Sequence, residues 1–234
     1  MESERIDGRV IPFPPRPAPG ARPAAIEDLR FRTLAGEGAW SRLPRAVRAR
    51  FERHIGPGAT IIYAGEVVEC RMSRCGRLLS QLVRLVGAPL PLSTDTAVAA
   101  AVSVTEDPAR GGQFWTRVYS RRHGFPQVIH SSKRFAGPTG LEEYVGCGVG
   151  IALRLEVEDE ALHFLSDHYF VRVGPLRLRL PRWLSPGRMR VSHIDCGHGT
   201  FAFVLSLVHP LLGELLCQTA MFEERRDGRE GRER

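Results

Sequence analysis

The chain has almost no lysine. Of its 33 basic residues 32 are arginine, and Lys133 is the single exception. With abundant alanine, glycine and proline, this is the bias of a GC-rich coding sequence. It scatters arginine singly between apolar residues and does not gather it beside exposed aromatics. The formal charge of +7 therefore bears on solubility and non-specific association. Specific nucleic-acid binding is not expected.

Long apolar runs are also missing. No stretch of about 18 apolar residues occurs, so no spanning helix is expected. The nearest candidate, 201–216, is broken by His209-Pro210 and Gly213-Glu214. The N-terminus carries acids and no apolar core segment, unlike a signal peptide. Five cysteines (Cys70, Cys75, Cys147, Cys196 and Cys217) are odd in number, dispersed, and contain no C-x-x-C. A secreted disulfide framework is excluded on that pattern, and a reducing, cytoplasmic location is expected.

Catalytic signatures are absent too. There is no G-x-S-x-G. The glycines of Tyr144-Val-Gly-Cys-Gly-Val-Gly150 do not open a helix, as a phosphate loop must. They read instead as a bulge, a bend or a close passage of another backbone. His163 and His168 are five apart, as are His193 and His198, so each pair faces opposite sides of a regular strand unless a bulge intervenes, for which Ser166-Asp167 is the candidate. No metal and no cofactor is expected. Glu142 and Glu143 are adjacent and point to opposite faces, which works against paired acid–base chemistry.

What is present is alternation. Over 141–173, Ile151, Leu153, Leu155 and Val157 share one strand face. Glu158-Asp159-Glu160 marks a tight reversal, and a second strand carries Leu162, Phe164 and Phe170. Further strands are expected over 60–71, 94–105, 113–120, 127–135, 188–195, 200–208 and 214–222, with LRLRLP at 176–181 another alternating segment. The fold class is α+β and β-dominated: an antiparallel meander of about nine or ten strands forming a curved sheet or barrel. Short helices are expected over 25–54, and one amphipathic helix over 76–86 packs on the sheet like a plug. Residues 1–24, rich in Pro and Arg, read as a disordered extension in preference to a PxxP ligand. Residues 25–222 form one domain, and 223–234 form a disordered charged tail.

The candidate site is the inside of the sheet. Tyr63, Trp115, Tyr144, Phe164, Tyr169, Phe201 and Phe203 lie on expected strands and are the candidate ligand-lining residues. A second candidate is the loop at 180–187, whose Trp183 and Leu184 are flanked by Arg179 and Arg182. It either touches an anionic bilayer or tucks against the helix at 76–86, the second being preferred. The leading function is a non-enzymatic module holding an apolar, lipid-like molecule. The alternative is an interaction domain docking to an oxidoreductase or a membrane surface. Catalysis would require at least two of Glu66, His130, Tyr144 and His193 to converge in one pocket.

Four blocks carry a resemblance: FRTLAGEGAWSRLPRAVRARF at 31–51, YAGEVVECR through GRLLSQLVRLVGAPLPL at 63–92, the segment 141–181, and VLSLVHPLLGELLCQTAMF at 204–222. They resemble a bacterial family catalogued as domain of unknown function 4166. In that family the domain stands alone or is appended to saccharopine-dehydrogenase-like and other NAD(P)-dependent oxidoreductases. This chain resembles the stand-alone form, since no Rossmann fingerprint precedes it. The resemblance implies an accessory or ligand-binding role beside redox enzymes, and it carries over no functional residues.

Overall fold

The structure is a computed structural model that describes residues 27–56, 58–87 and 89–224. Its strands are β1 (Thr60–Met72), β2 (Val98–Asp107), β3 (Gly112–Tyr119), β4 (Gln127–Arg134), β5 (Leu141–Gly146), β6 (Val149–Glu158), β7 (Ala161–Val173), β8 (Leu176–Arg179), β9 (Arg188–Gly197), β10 (Thr200–His209) and β11 (Gly213–Glu224). All pair antiparallel, and each strand up to β7 neighbours the next in sequence. Ten of them close into a barrel, with β1 on β11 as the seam. Closure leaves no exposed edge around the ring, which is how such a sheet avoids edge-to-edge pairing. The β-dominated meander expected from alternation is thus a closed barrel.

The strand β8 stands outside the ring. β7 is 13 residues long and pairs with β6 along its length. Its other edge is divided: Leu162 to Leu165 pair with β9, whereas Phe170 to Val173 pair with β8. A bulge at Asp167 separates the two halves, because Ala152 opposes His168 while Leu153 opposes Ser166. The β6–β7 reversal is a two-residue turn. Asp159 and Glu160 both take positive φ, 48° and 58°, matching the turn type whose twist suits a hairpin.

Helices close both ends. α1 (Arg30–Ala35), α2 (Glu37–Trp40) and α3 (Arg45–Phe51) seal one end. There Phe31 meets Phe51, Phe135 and Phe164 edge-on at ring separations of 5.2, 4.9 and 6.0 Å. α4 (Arg74–Leu82) covers the other end and tightens into a 3₁₀ turn over Val83–Val86. Ser73 caps α4, its Oγ accepting the Gly76 N–H at 3.1 Å. The helix begins two residues earlier than the apolar stripe indicated, because capping and not hydrophobicity sets its start. Only Leu79 and Val83 of that stripe pack on the core. Leu78, Leu82 and Leu85 remain exposed.

The glycine cluster after β5 acts as the alternation implied. The β5–β6 register shifts between Tyr144 and Gly146. A Cβ on Gly146 would lie 2.6 Å from the Val86 carbonyl oxygen, so this turn passes directly under the end of the α4 segment. The charged tail begins later than expected: Glu223 still pairs with Thr200 and Ala64. Residues 225–234 of that tail, and the extension at 1–24, lie outside the described residues.

Candidate ligand cavity

The barrel is not filled. Inside it lies a cavity of about 310 Å³, within the size range of small-molecule sites, roughly 300–1,000 Å³. Its walls are largely aliphatic and aromatic. Four of the aromatics singled out from sequence, Trp115, Phe164, Tyr169 and Phe203, line it. Tyr63 and Phe201 lie deeper and line a small void beside Trp115 and Phe203. Their rings meet edge-on at 5.0 Å.

Tyr144 does not join them. It sits on the outer face, its hydroxyl donating to Glu142 Oε2 at 2.9 Å and its ring packing edge-on against Phe170 at 5.5 Å. Strand parity explains this, since its neighbour Glu143 points inward. The other acid–base candidates scatter likewise. Glu66 is exposed on β1, and His130 faces out beside Thr116. Only His193 turns into the barrel, where it lines the deeper void.

The charged inner side chains were not foreseen as a site. Glu143 on β5 bridges Lys133 on β4 at 2.9 Å and Arg117 on β3 at 3.2 Å. Arg117 also donates to Ser131 Oγ at 3.1 Å. The Lys133 ammonium lies 4.8 Å from the Trp115 ring centroid and 5.3 Å from that of Phe164, close enough for cation–π attraction. Burial alone would push the Glu143 carboxyl up, but Lys133 and Arg117 reverse this and hold it well below the usual carboxylate range. Burial pulls the Lys133 ammonium down, against the opposing pull of Glu143. The signal that could have found this group is compositional: in a chain of arginines, the one lysine stands here.

His163 and His168 do not converge, although the bulge at Ser166-Asp167 exists. His168 Nδ1 donates to Asp167 at 2.6 Å, and Arg177 donates to its Nε2 at 3.0 Å. His163 pairs with Ser192 at 2.8 Å and receives the Arg190 Nε–H at 3.1 Å. No group of three or more His, Cys, Asp or Glu side chains is placed to hold a metal among the described residues.

His193 is buried against Phe51, Phe201 and Phe203. Burial, then the Arg50 guanidinium, pushes its pKa down to about 3. The folded chain therefore refuses a proton that the unfolded chain accepts near pH ~6.5. This contribution to stability is fully present above that pH and is lost as pH falls toward the folded value. By about pH 5 it should cost roughly 2 kcal/mol. Urea unfolding of His193→Gln should show the wild-type decline between neutral and mildly acid pH reduced by about one proton's worth of slope. An unchanged slope would mean that His193 titrates normally.

The rim of the cavity is apolar. Leu79 and Val83 of the α4 segment and Leu180, Leu184 and Pro186 of the loop after β8 border it. Trp183 is 78% exposed and is not tucked against α4, contrary to the preferred sequence reading. A short 3₁₀ turn over Arg182–Leu184 turns Leu184 toward the cavity and leaves Trp183 outside. Arg179 and Arg182 are exposed beside it. Leu85 and Leu211, more than 80% exposed, lie at this same end of the barrel. Among the described residues, no helix is long and apolar enough to cross a membrane.

Comparison with known proteins places the chain by family. The family described as Domain of unknown function (DUF4166) matches residues 43–222. No curated protein and no solved structure matches the chain.

Proposed function

The chain belongs to the DUF4166 family, and we propose that its barrel is a non-enzymatic module that binds one apolar, lipid-like small molecule. The observation that carries this reading is the cavity of about 310 Å³ with predominantly apolar walls inside an otherwise well-packed barrel. Cavities of this size with mainly apolar walls and a few convergent polar groups suit small, largely apolar guests. Trp115, Phe164, Tyr169 and Phe203 are the contacts expected for the guest. The exposed rim at Trp183 and Leu184, with Arg179 and Arg182 beside it, is the face across which a lipid-like guest would arrive, and an anionic bilayer is a surface that such a rim suits.

Native mass spectrometry of the purified protein, followed by organic extraction, tests the proposal. A one-to-one apolar adduct is the expected result. Leu205→Trp, which fills the lumen beside Val191 on the paired strand, should abolish the adduct while the protein stays folded. An adduct that survives this filling would place the guest elsewhere and end the reading.

A further inference from the structure

We propose that the guest is a single-chain amphiphile with one anionic, carboxylate head, held deep in the barrel by Arg117 and Lys133. This deepens the binding reading above and rests on it. The argument begins with charge. The ionised side chains that line the cavity are Arg117, Lys133 and Glu143. With Lys133 holding its proton through the ion pair with Glu143, against the pull of burial, two cations and one carboxylate leave the lumen one unit positive. Among the described residues, no other wall residue supplies the missing negative charge. Tyr169 is pushed up to about 12 by burial, and burial raises Tyr119 as well, so both phenols stay neutral. A net charge enclosed by apolar walls is costly unless a counter-charge comes with it. A monoanion supplies one unit, which is the amount required.

Donor capacity agrees. The guanidinium of Arg117 has five N–H donors, and Ser131 and Glu143 take one each. The ammonium of Lys133 has three, and Glu143 takes one. Both cations therefore retain donors for an arriving carboxylate, whereas both Glu143 oxygens are already engaged.

Strand register sets the orientation. Inward residues along β4 run Ile129, Ser131, Lys133 away from the α4 end, and along β5 Val145 precedes Glu143 in the same direction. Lys133 and Glu143 thus lie at the floor, and Arg117, set level with Ile129 on the neighbouring strand, reaches down to Glu143 from nearer the rim under α4. A guest with its head on the floor places its tail toward the opening.

The test uses three ligands with one tail: dodecanoate, dodecanol and dodecylamine. Each displaces Nile red, a neutral apolar dye, from the full-length protein stripped of bound lipid, at neutral pH. Dodecanoate should displace the dye at about tenfold lower concentration than dodecanol, the scale of one charge-assisted contact, with dodecylamine weakest. Lys133→Met, which leaves Glu143 paired with Arg117 and the lumen neutral, should erase the preference for the acid, so that dodecanoate and dodecanol displace the dye from this variant at the same concentration. Equal displacement by acid and alcohol, or preference for the amine, overturns the head-group proposal while binding itself stands. If neither the dye nor any ligand binds, the binding reading falls with it.

Discussion

Replacing Glu143 with leucine should destabilise the protein by about 3–5 kcal/mol, the cost of stranding a buried partner charge. Glu143 is 5% exposed and Lys133 4%, so water cannot replace the lost carboxylate. Glu143→Leu leaves Lys133 and Arg117 facing each other across an apolar lumen, two positive charges with no counter-ion. The double variant Glu143→Leu with Lys133→Met returns the lumen to its original net charge, with Arg117 still held by Ser131. It should recover most of the loss. Urea unfolding midpoints of the three proteins at neutral pH make the comparison. If the single and double variants are equally unstable, lost packing and not unpaired charge is the cause. The same pair predicts acid sensitivity. Because the folded carboxyl sits well below its ordinary value, its contribution is fully present above about pH 4.3 and fades as pH falls below it. That window opens lower than the one set by His193, so between about pH 6.5 and 4.3 the His193 loss stands alone in a pH series.

The difference between what was legible in the sequence and what was not follows from strand physics. A period of two states that neighbours face opposite sides, but not which side is the inside. For β6 the answer was easy, since Ile151, Leu153, Leu155 and Val157 oppose Arg154 and Glu156. For β5 it was ambiguous. Polarity alone would turn Tyr144 in and Glu143 out, and the protein does the reverse. The inversion is possible because Lys133 and Arg117 arrive from two other strands to neutralise Glu143, and no local spacing encodes that meeting. The β1–β11 seam is hidden for a similar reason: it joins segments at opposite ends of the chain, so the pattern indicated a curved sheet or a barrel without deciding between them. The loop at 180–187 shows a different limit. Its composition offered two homes for Trp183, and the side chain that turns toward the cavity is its neighbour Leu184. By contrast the plug helix, the Glu158-Asp159-Glu160 turn and the bulge near Ser166 were all local features, and all were readable.

The seam itself should be the most sensitive backbone position. Gly65 on β1 opposes Phe222 on β11 and Ala100 on β2, so it sits between two hydrogen-bonded neighbours. A Cβ placed there would overlap the Met221 carbonyl oxygen and crowd Phe222 Cα at 2.8 Å. The obstruction is backbone, not a flexible side chain, so the only relief is for β1 to move away from β11. Overpacking in cores commonly costs 1–3 kcal/mol, and here it falls on the join that makes a sheet into a barrel. Gly65→Val should therefore cost about 3 kcal/mol or more. Ala64→Val is the internal control. Ala64 is exposed and adjacent, valine favours strands, and the change should stay within about 0.5 kcal/mol. Thermal unfolding of both variants measures the contrast, and amide exchange along β1 and β11 locates it. Equal stability of the two would mean that the seam yields without cost. A loss confined to Gly65→Val, accompanied by loss of Nile red uptake, would tie the closed ring to the cavity it encloses: open the seam, and the enclosed apolar space that makes binding possible no longer exists.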